Sequence, residues 1–330
     1  MKCPVCDKGN ASLKIQKKKR QFRKEEFEFF EFYYQCENCN EEFTTTETDT
    51  INTNQVYNQY REKHSIPFPE QLNSLREYYN ISAAKMSELL GFGTNQYRLY
   101  ENGEFPSGGN ATVLSLIINP SNFKNIIIKN KSILSKKKFD EVIDKIEYTI
   151  TDNLDKLLEK SLFPSDIIPN RFTGFTLPRF RKFANMVLYF LVNAPFKVRL
   201  NKLLFYADFT SYKYSGFSIS GCRYAAIDMG SVPDQYSHIY GLLESEKYIT
   251  AELVKVKDKE YDKFVSLRQF DKSLFTDFEL SILNDVLNKF RHISTNELME
   301  ISHNEKAWQD NNKSKSIIDY VLYAPQLTAL

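Results

Sequence analysis

The chain has 330 residues, of which 42% are hydrophobic and 14% aromatic, and its formal net charge at pH 7 is +2. This composition excludes an intrinsically disordered chain, and the length is sufficient for two or three domains with cores of their own. Because the charge is nearly balanced, any surface for nucleic acid has to come from local clusters of basic residues. The sequence has neither an N-terminal apolar segment typical of a signal peptide nor an apolar run of about 18 residues, so the expected location is the cytoplasm.

Four of the five cysteines form two Cys-x-x-Cys pairs, Cys3 with Cys6 and Cys36 with Cys39. Disulfides rarely persist in the cytoplasm, and two such pairs can present four thiolates to one ion. Four sulfur ligands complete a tetrahedral shell, which is the geometry of closed, structural zinc sites. The pattern therefore predicts a small unit over residues 1–50 that needs Zn²⁺ to fold, with redox-active thiols as the alternative.

The segment between the two cysteine pairs contains a basic run and an aromatic run. Residues 14–24 carry seven positive charges in eleven positions, and residues 26–35 are largely aromatic, which is typical of strands. The basic run either contacts phosphate groups or an acidic partner, or it is the solvated edge of a hairpin that lysines keep from aggregating. Both interpretations remain open at this point.

The stretch from Ile81 to Pro106 has the pattern of two short helices joined by a glycine-containing turn. Ser82 is a favourable N-cap for the first helix, and Thr94 is the predicted cap of the second. Glycines at 91 and 93 separate the two helices. A helix, a turn and a second helix with an exposed polar start form the arrangement that inserts the second helix into the major groove of DNA. An ordinary helical hairpin is the alternative.

Residues from about 70 to 118 resemble the Xre/Cro-type DNA-binding domain, especially that of MqsA-type antitoxins. The N-terminal zinc ribbon of those antitoxins is similar to residues 1–50. The residues that carry the resemblance are Leu75, Arg76, Glu77, Ser82 through Gly91, Asn95 and Tyr100 through Glu104. The resemblance implies a five-helix helix-turn-helix domain over residues 68–130. The segment before this domain, residues 51–68, is polar and is expected to be a linker.

The same resemblance assigns candidate DNA contacts. The residues expected to contact base edges are Thr94, Asn95 and Arg98. Those expected to contact the phosphate backbone are Ser82 and Lys85. The MqsA-type pattern has an arginine at the position of Leu99, so Arg98 either takes over the base contact or contacts only phosphate. Tyr100 is expected to pack in the core rather than read DNA.

Residues 131–176 are expected to form a helical linker. A charged amphipathic helix is predicted from Ser135 to about Leu162, with apolar residues, Leu154 among them, at three- and four-residue steps. This helix is a spacer, a dimer seam or part of the next domain. Pro164 and Pro169 mark the approach to a separate unit.

Residues 177–330 are predicted to form the largest core, in a mostly helical α+β domain. Three motifs follow one another there: Lys-Leu-Leu-Phe-Tyr-Ala-Asp at 202–208, Gly-Ser-Val-Pro at 230–233 after two glycines, and Ser-His at 302–303 with Trp308. As an ordered set they resemble the Panacea (SocA-like) antitoxin domain, over about residues 180–320. That family usually has proline at the position of Ser231, which implies a differently shaped loop here.

The C-terminal residues show no spacing that places a nucleophile beside a base, so no enzymatic activity is predicted. The groups considered as catalytic candidates are His238, His303, Asp208, Asp228, Cys222 and Tyr206. His303 is expected to belong to a helix-cap and packing cluster with Glu305 and Trp308. Cys222 is expected to be a buried apolar residue.

The chain is thus predicted to be a multidomain, mainly α-helical protein with a small β zinc ribbon. By resemblance, the order of its parts implies an antitoxin of a type II toxin-antitoxin system. Such a protein binds and neutralises a cognate protein toxin and represses its own operon as a homodimer on operator DNA. One alternative is a stand-alone transcriptional regulator whose C-terminal domain senses a ligand or partner, and another is an adaptor that delivers a client to a protease. The sequence does not indicate which residues face the toxin.

Overall fold

The computed structural model describes residues 1–150, 157–164, 168–256 and 259–330. They divide into two compact units, of which the first combines Met1–Tyr60 with Asn170–Leu330 and the second is Arg61–Pro169. The N-terminal residues therefore share a unit with the C-terminal ones, whereas the sequence predicts a separate domain over residues 1–50. The reason lies in the helix that follows the ribbon.

The N-terminal sheet is antiparallel, in the order β1-β2-β3, and consists of β1 (Ala11–Phe22), β2 (Glu25–Cys36) and β3 (Glu42–Phe43). Between β1 and β2 the chain reverses at Arg23 and Lys24, both of which have positive φ, as in the hairpin turns that match the twist of paired strands. The predicted strand structure of the aromatic segment is confirmed by β2.

Helix α1 (Thr46–Lys63) occupies most of the segment that the sequence analysis assigns to a polar linker. Its side-chain amides pair with the backbone of β2. Asn52 accepts from the N–H of Phe32 at 2.8 Å and donates to the carbonyl of the same residue at 3.0 Å. Gln55 makes the same two bonds with Phe30, at 3.0 and 2.8 Å. The linker prediction was wrong because much of the buried face of α1 is built from amides, which reproduce the pairing of a neighbouring strand, and only three of its buried residues are apolar.

A second face of α1 contacts the C-terminal part of the first unit. Asn54 donates to the carbonyl of Ser215 and Asn58 to that of Gly216, each at 3.0 Å. These carbonyls lie at the end of a long helix, where Gly216 adopts a left-handed conformation with φ of +82°. Helix α1 therefore joins the ribbon to the C-terminal residues within one unit.

The second unit is helical. Its helices are α2 (Pro69–Tyr78), α3 (Ala83–Leu89), α4 (Gln96–Glu101), α5 (Gly108–Ile117), α6 (Pro120–Lys129), α7 (Lys136–Ile150) and α8 (Leu157–Leu162). One buried apolar cluster includes Leu72, Met86, Tyr97, Leu114, Phe123 and Ile127. The five helices predicted over residues 68–130 are therefore present as α2 to α6.

Helix α7 corrects the predicted linker over residues 131–176. Val142 and Ile146 are fully buried in the same apolar cluster as the five preceding helices. Because its apolar stripe is buried within the second unit, α7 is part of that unit's core rather than a spacer. Leu154, which was also assigned to this helix, lies outside the described residues.

The C-terminal part of the first unit forms helices α9 (Phe180–Leu191), α10 (Lys197–Ser215), α11 (Tyr236–Ser245), α12 (Asp277–Phe290), α13 (Thr295–Asn304), α14 (Lys306–Gln309) and α15 (Tyr320–Tyr323). Two antiparallel hairpins accompany them, β4 (Tyr224–Ile227) with β5 (Gly230–Pro233) and β6 (Ile249–Val256) with β7 (Lys259–Ser266). Every residue of α10 from Arg199 to Lys213 is buried. Helix α10 is therefore the central element, and the prediction of a mostly helical C-terminal region is confirmed.

Among the described helices, no helix combines the length and the apolar character that crossing a membrane requires.

Candidate functional site

The four paired cysteines converge at the end of the N-terminal sheet. Their sulfur atoms all lie within 4.8 Å of one another, and none is in a disulfide. Cys3 Sγ is 3.8 Å from Cys39 Sγ, and Cys6 Sγ is 3.7 Å from Cys36 Sγ. A tetrahedral site with Zn–S distances of about 2.3 Å has S–S edges of about 3.8 Å. The four thiols can therefore hold one metal ion.

Both Cys-x-x-Cys turns have the same backbone structure. After the first pair, the N–H of Asp7 donates to the carbonyl of Cys3 at 3.2 Å, and after the second the N–H of Asn40 donates to the carbonyl of Cys36 at 3.1 Å. Asp7 and Asn40 both have positive φ, a conformation that Asp and Asn tolerate. The repeated turn directs two sulfur atoms from each pair toward one point.

The acidities of the thiols differ within this cluster. The pKa of Cys6 is lowered to about 6, first by the backbone N–H groups of Lys8 and Gly9. The pKa of Cys39 is raised to about 12 although the N–H of Glu41 lowers it, because burial and the neighbouring thiols oppose another negative charge. Negative charges this close repel one another unless a cation lies among them.

The basic run of residues 14–24 lies in β1 and the turn after it, and several of its charges are neutralised across the hairpin. Lys17 pairs with Glu28 at 2.7 Å, and Lys19 with Glu26 at 2.8 Å. Lys18 forms a third pair with a glutamate of β2. These pairs belong to the solvated edge of the hairpin, and because they are exposed and weak, both interpretations of the basic run stay open.

Ser82 and Lys85, the candidates for backbone contacts, lie at the start of α3. Ser82 is the N-cap of α3, as predicted, and its hydroxyl accepts from the N–H of Lys85 at 3.3 Å. The ammonium of Lys85 is 2.7 Å from the carboxylate of Glu88. Both side chains of this pair are exposed, so their interaction is weak and an incoming phosphate can compete with it.

Thr94, Asn95 and Arg98, the candidates for base contacts, are all exposed at the start of α4. Asn95 is the N-cap of α4, with φ of +62° and no capping bond from its side chain. The predicted Thr94 cap is therefore wrong, because the chain enters α4 through a left-handed residue, a conformation that asparagine tolerates better than threonine. The amide of Asn95 is not used to cap the helix. Leu99, on the same short helix, is 41% exposed.

Buried contacts hold α4 in place behind its exposed face. The hydroxyl of Tyr97 donates to the carbonyl of Leu72 at 2.9 Å, and burial raises its pKa. Arg76 Nε donates to the carboxylate of Glu101 at 2.6 Å. Tyr100 is buried, which confirms its predicted role in packing. A helix of six residues has little stability alone, so these contacts fix its orientation.

In the C-terminal part of the first unit, Asp208 organises the loop that follows α10. Its fully buried carboxylate accepts from the N–H groups of Ile219 and Ser220 at 2.8 Å each, and from the hydroxyls of Ser220 at 2.6 Å and Tyr224 at 2.8 Å. Burial raises the pKa of Asp208, and the four donors oppose that rise. The carboxylate is used in holding the loop, which is a structural role.

The cluster predicted around His303 is present. The ring of His303 stacks on Trp308, with centroids 3.9 Å apart and an interplanar angle of 15°. Glu305 is the N-cap of α14, and its buried carboxylate accepts from the N–H of Thr328 at 3.0 Å. Tyr206 donates to the same carboxylate at 3.4 Å. The packing of His303 on Trp308 agrees with the prediction, whereas the carboxylate of Glu305 binds the backbone near the C-terminal end and makes no capping bond to α14.

The remaining catalytic candidates, Cys222, His238 and Asp228, show no arrangement that suggests catalysis. Cys222 is buried, as predicted, and burial raises the pKa of its thiol. His238 and Asp228 are exposed, and Asp228 lies 3.7 Å from the ammonium of Lys315. Sequence analysis missed a different group, the ammonium of Lys202, which is buried in α10. The available signal was a lysine that directly precedes an apolar run of five residues.

The comparison with protein families concerns this same part of the chain. Residues 200–309 match the family model described as "Antitoxin SocA-like, Panacea domain". The match extends from α10 to α14 and includes the three motifs singled out in the sequence. It supports an antitoxin role for the C-terminal region, and an antitoxin domain implies a toxin as partner. No curated protein matches the chain.

Proposed function

We propose that this protein is the antitoxin of a type II toxin-antitoxin system, in which the C-terminal residues bind and neutralise a cognate protein toxin. The observation that carries the proposal is the match of residues 200–309 to the SocA-like Panacea family. The match covers a compact, helix-rich part of the chain arranged around α10, which offers a rigid surface to a protein partner. The proposal includes no catalytic step and assigns the protein to the cytoplasm.

The proposal assigns operon repression to the second unit. Helices α3 and α4 have the order and spacing of a helix-turn-helix, with α4 as the recognition helix. Its exposed Asn95 and Arg98 have the chemistry that recognises adenine and guanine, with Thr94 beside them. Ser82 and Lys85 contact phosphate and orient the helix. A homodimer reads a palindrome whose half-sites lie about one helical turn apart, or a multiple of that.

The proposal also assigns a structural Zn²⁺ to Cys3, Cys6, Cys36 and Cys39. The S–S distances of 3.7 and 3.8 Å support this assignment. With four thiolate ligands the ion has no open position, so its contribution is to the folding of the ribbon.

Co-expression tests the toxin proposal. The protein encoded beside this chain is expressed from an inducible promoter, with and without this chain, and growth is recorded. Growth arrest that this chain relieves through a stable, co-purifying complex is the expected result. A neighbour without toxicity, together with promoter binding, indicates a stand-alone regulator. Loss of the neighbouring protein on co-expression indicates a proteolysis adaptor.

A further inference from the structure

The ammonium group of Lys202 is buried without a counter-ion. Lys202 lies on α10 and is 1% exposed, and its Nζ donates to the carbonyls of Met229 at 2.5 Å and Ser231 at 3.3 Å. Among the described residues, no carboxylate forms an ion pair with it. Burial lowers its pKa to about 7. An unpaired buried charge is costly, so a group that supplies negative charge here is strongly favoured.

A buried hydroxyl lies beside the same ammonium. Gly230 lies between the two residues whose carbonyls accept from the ammonium, and its φ is +101°. A Cβ built on Gly230 would lie 2.3 Å from Lys202 Nζ and 3.1 Å from Ser302 Oγ, so both atoms border one small region beside the Gly230 backbone. Ser302 is fully buried, and its hydroxyl has no hydrogen-bond partner within the described part of the chain. The unpaired hydroxyl of Ser302 therefore lies near the ammonium of Lys202, and both pack against Gly230.

The next residue, His303, contributes a third polar atom. Its Nε2 is buried and has no hydrogen-bond partner among the residues that the structure describes. His303 directly follows Ser302 on α13, and its pKa is lowered, first by burial and then by the positive charge of Lys202. The ring itself is partly exposed and stacks on Trp308, so it is the part of the cluster that reaches solvent.

We propose that Lys202, Ser302 and His303 form a binding site for a small oxyanion, a carboxylate or a phosphate. All three groups can donate a hydrogen bond, and the cluster contains no negative charge that would repel an anion. A bound oxyanion supplies the counter-ion of Lys202 and accepts from the unpaired donors of Ser302 and His303. Neither zinc binding nor DNA recognition uses these residues.

An ordered water molecule is the competing occupant. A water satisfies the hydroxyl and the imidazole, but it leaves the charge of Lys202 uncompensated. The two occupants therefore differ in their response to added anions. If a water molecule occupies the site, added anions should cause no saturable change. If the site binds an oxyanion, the change should be saturable and should depend on Lys202.

Histidine-selective NMR on the whole, zinc-loaded protein tests the site. The chain has four histidines, and the resonances of His303 are identified as those missing from the spectrum of His303→Gln. Sodium phosphate and sodium acetate are titrated separately at constant ionic strength, with chloride as the reference. We expect the His303 resonances to shift saturably with at least one of them. Ser302→Ala, which keeps the charge, should weaken apparent affinity about tenfold, since it removes one hydrogen bond to a charged group.

Lys202→Met should abolish the shift, whereas Lys182→Met should preserve it, because Lys182 already pairs with Glu279 at 2.6 Å. If Lys202→Met does not fold, Ser302→Ala decides the question alone. A response to phosphate and acetate no different from that to chloride overturns the proposal. So does a shift unchanged in Ser302→Ala or Lys202→Met, which would indicate an adventitious ion only.

Discussion

The pairing of α1 with β2 makes a prediction about stability. In Asn52→Ala, the N–H and the carbonyl of Phe32 lose the two bonds of 2.8 and 3.0 Å that they make with the buried amide. Both backbone groups stay buried behind α1, and each unsatisfied buried group costs about 1–3 kcal/mol. The expected loss in the free energy of unfolding is therefore about 2–6 kcal/mol, which is a large share of the stability of a typical domain.

Urea unfolding monitored by tryptophan fluorescence measures this loss. The chain has one tryptophan, Trp308, and it lies in the first unit with Asn52, so the signal reports on the unit that is perturbed. Asn288→Ala is the matched control, because Asn288 is exposed on α12 of the same unit. Its effect should stay within about 0.5 kcal/mol. If the two variants unfold at the same urea concentration, the amides of α1 do not hold the ribbon to the rest of the unit.

Three further predictions concern the metal, the DNA and the buried lysine. Cys36→Ser should reduce bound zinc, measured by elemental analysis, from about one ion per chain to almost none; unchanged zinc content would contradict the four-sulfur site. Asn95→Ala should lose about 1–3 kcal/mol of discrimination at one base position, measured by competition binding to selected DNA; an unaltered base preference would show that the register of α4 is wrong. In chloride buffer, the free energy of unfolding should rise between pH 7 and 9, by up to about 1.4 kcal/mol per pH unit more than in Lys202→Met. The reason is that the folded protein releases the proton of Lys202 near pH 7, whereas the unfolded chain holds it to about 10.5. Parallel pH profiles of the two proteins would refute this.

The sequence was sufficient where a local pattern determines the structure. The two Cys-x-x-Cys pairs predicted a four-sulfur cluster because the spacing alone forms the turns, and the position of Ser82 predicted the start of α3. The apolar rhythm of residues 135–162 predicted one helix, and the described part of that range contains α7 and α8. It could not tell which core receives that helix, because the partner of an apolar stripe is set by tertiary packing.

The sequence was insufficient where polar groups are buried. Helix α1 reads as a linker because Asn52 and Gln55 have the composition of a solvated segment, and only the backbone of β2 shows that they replace a strand. The position of Asn95 as the N-cap of α4 depends on a left-handed backbone, which Thr94 does not favour. The one local sign of the burial of Lys202 was the apolar run that follows it, since the carbonyls that receive its hydrogen bonds are 27 and 29 residues away.

The central claim is that the C-terminal region neutralises a toxin, and its most direct test is growth under toxin expression. The full-length chain, with Asn95→Ala to remove repression as a cause of rescue, is expressed from an independent promoter beside the inducible neighbouring protein. The account predicts full rescue of growth and a stoichiometric complex of the two proteins on size-exclusion chromatography. Persistent growth arrest with both proteins present and folded would contradict it.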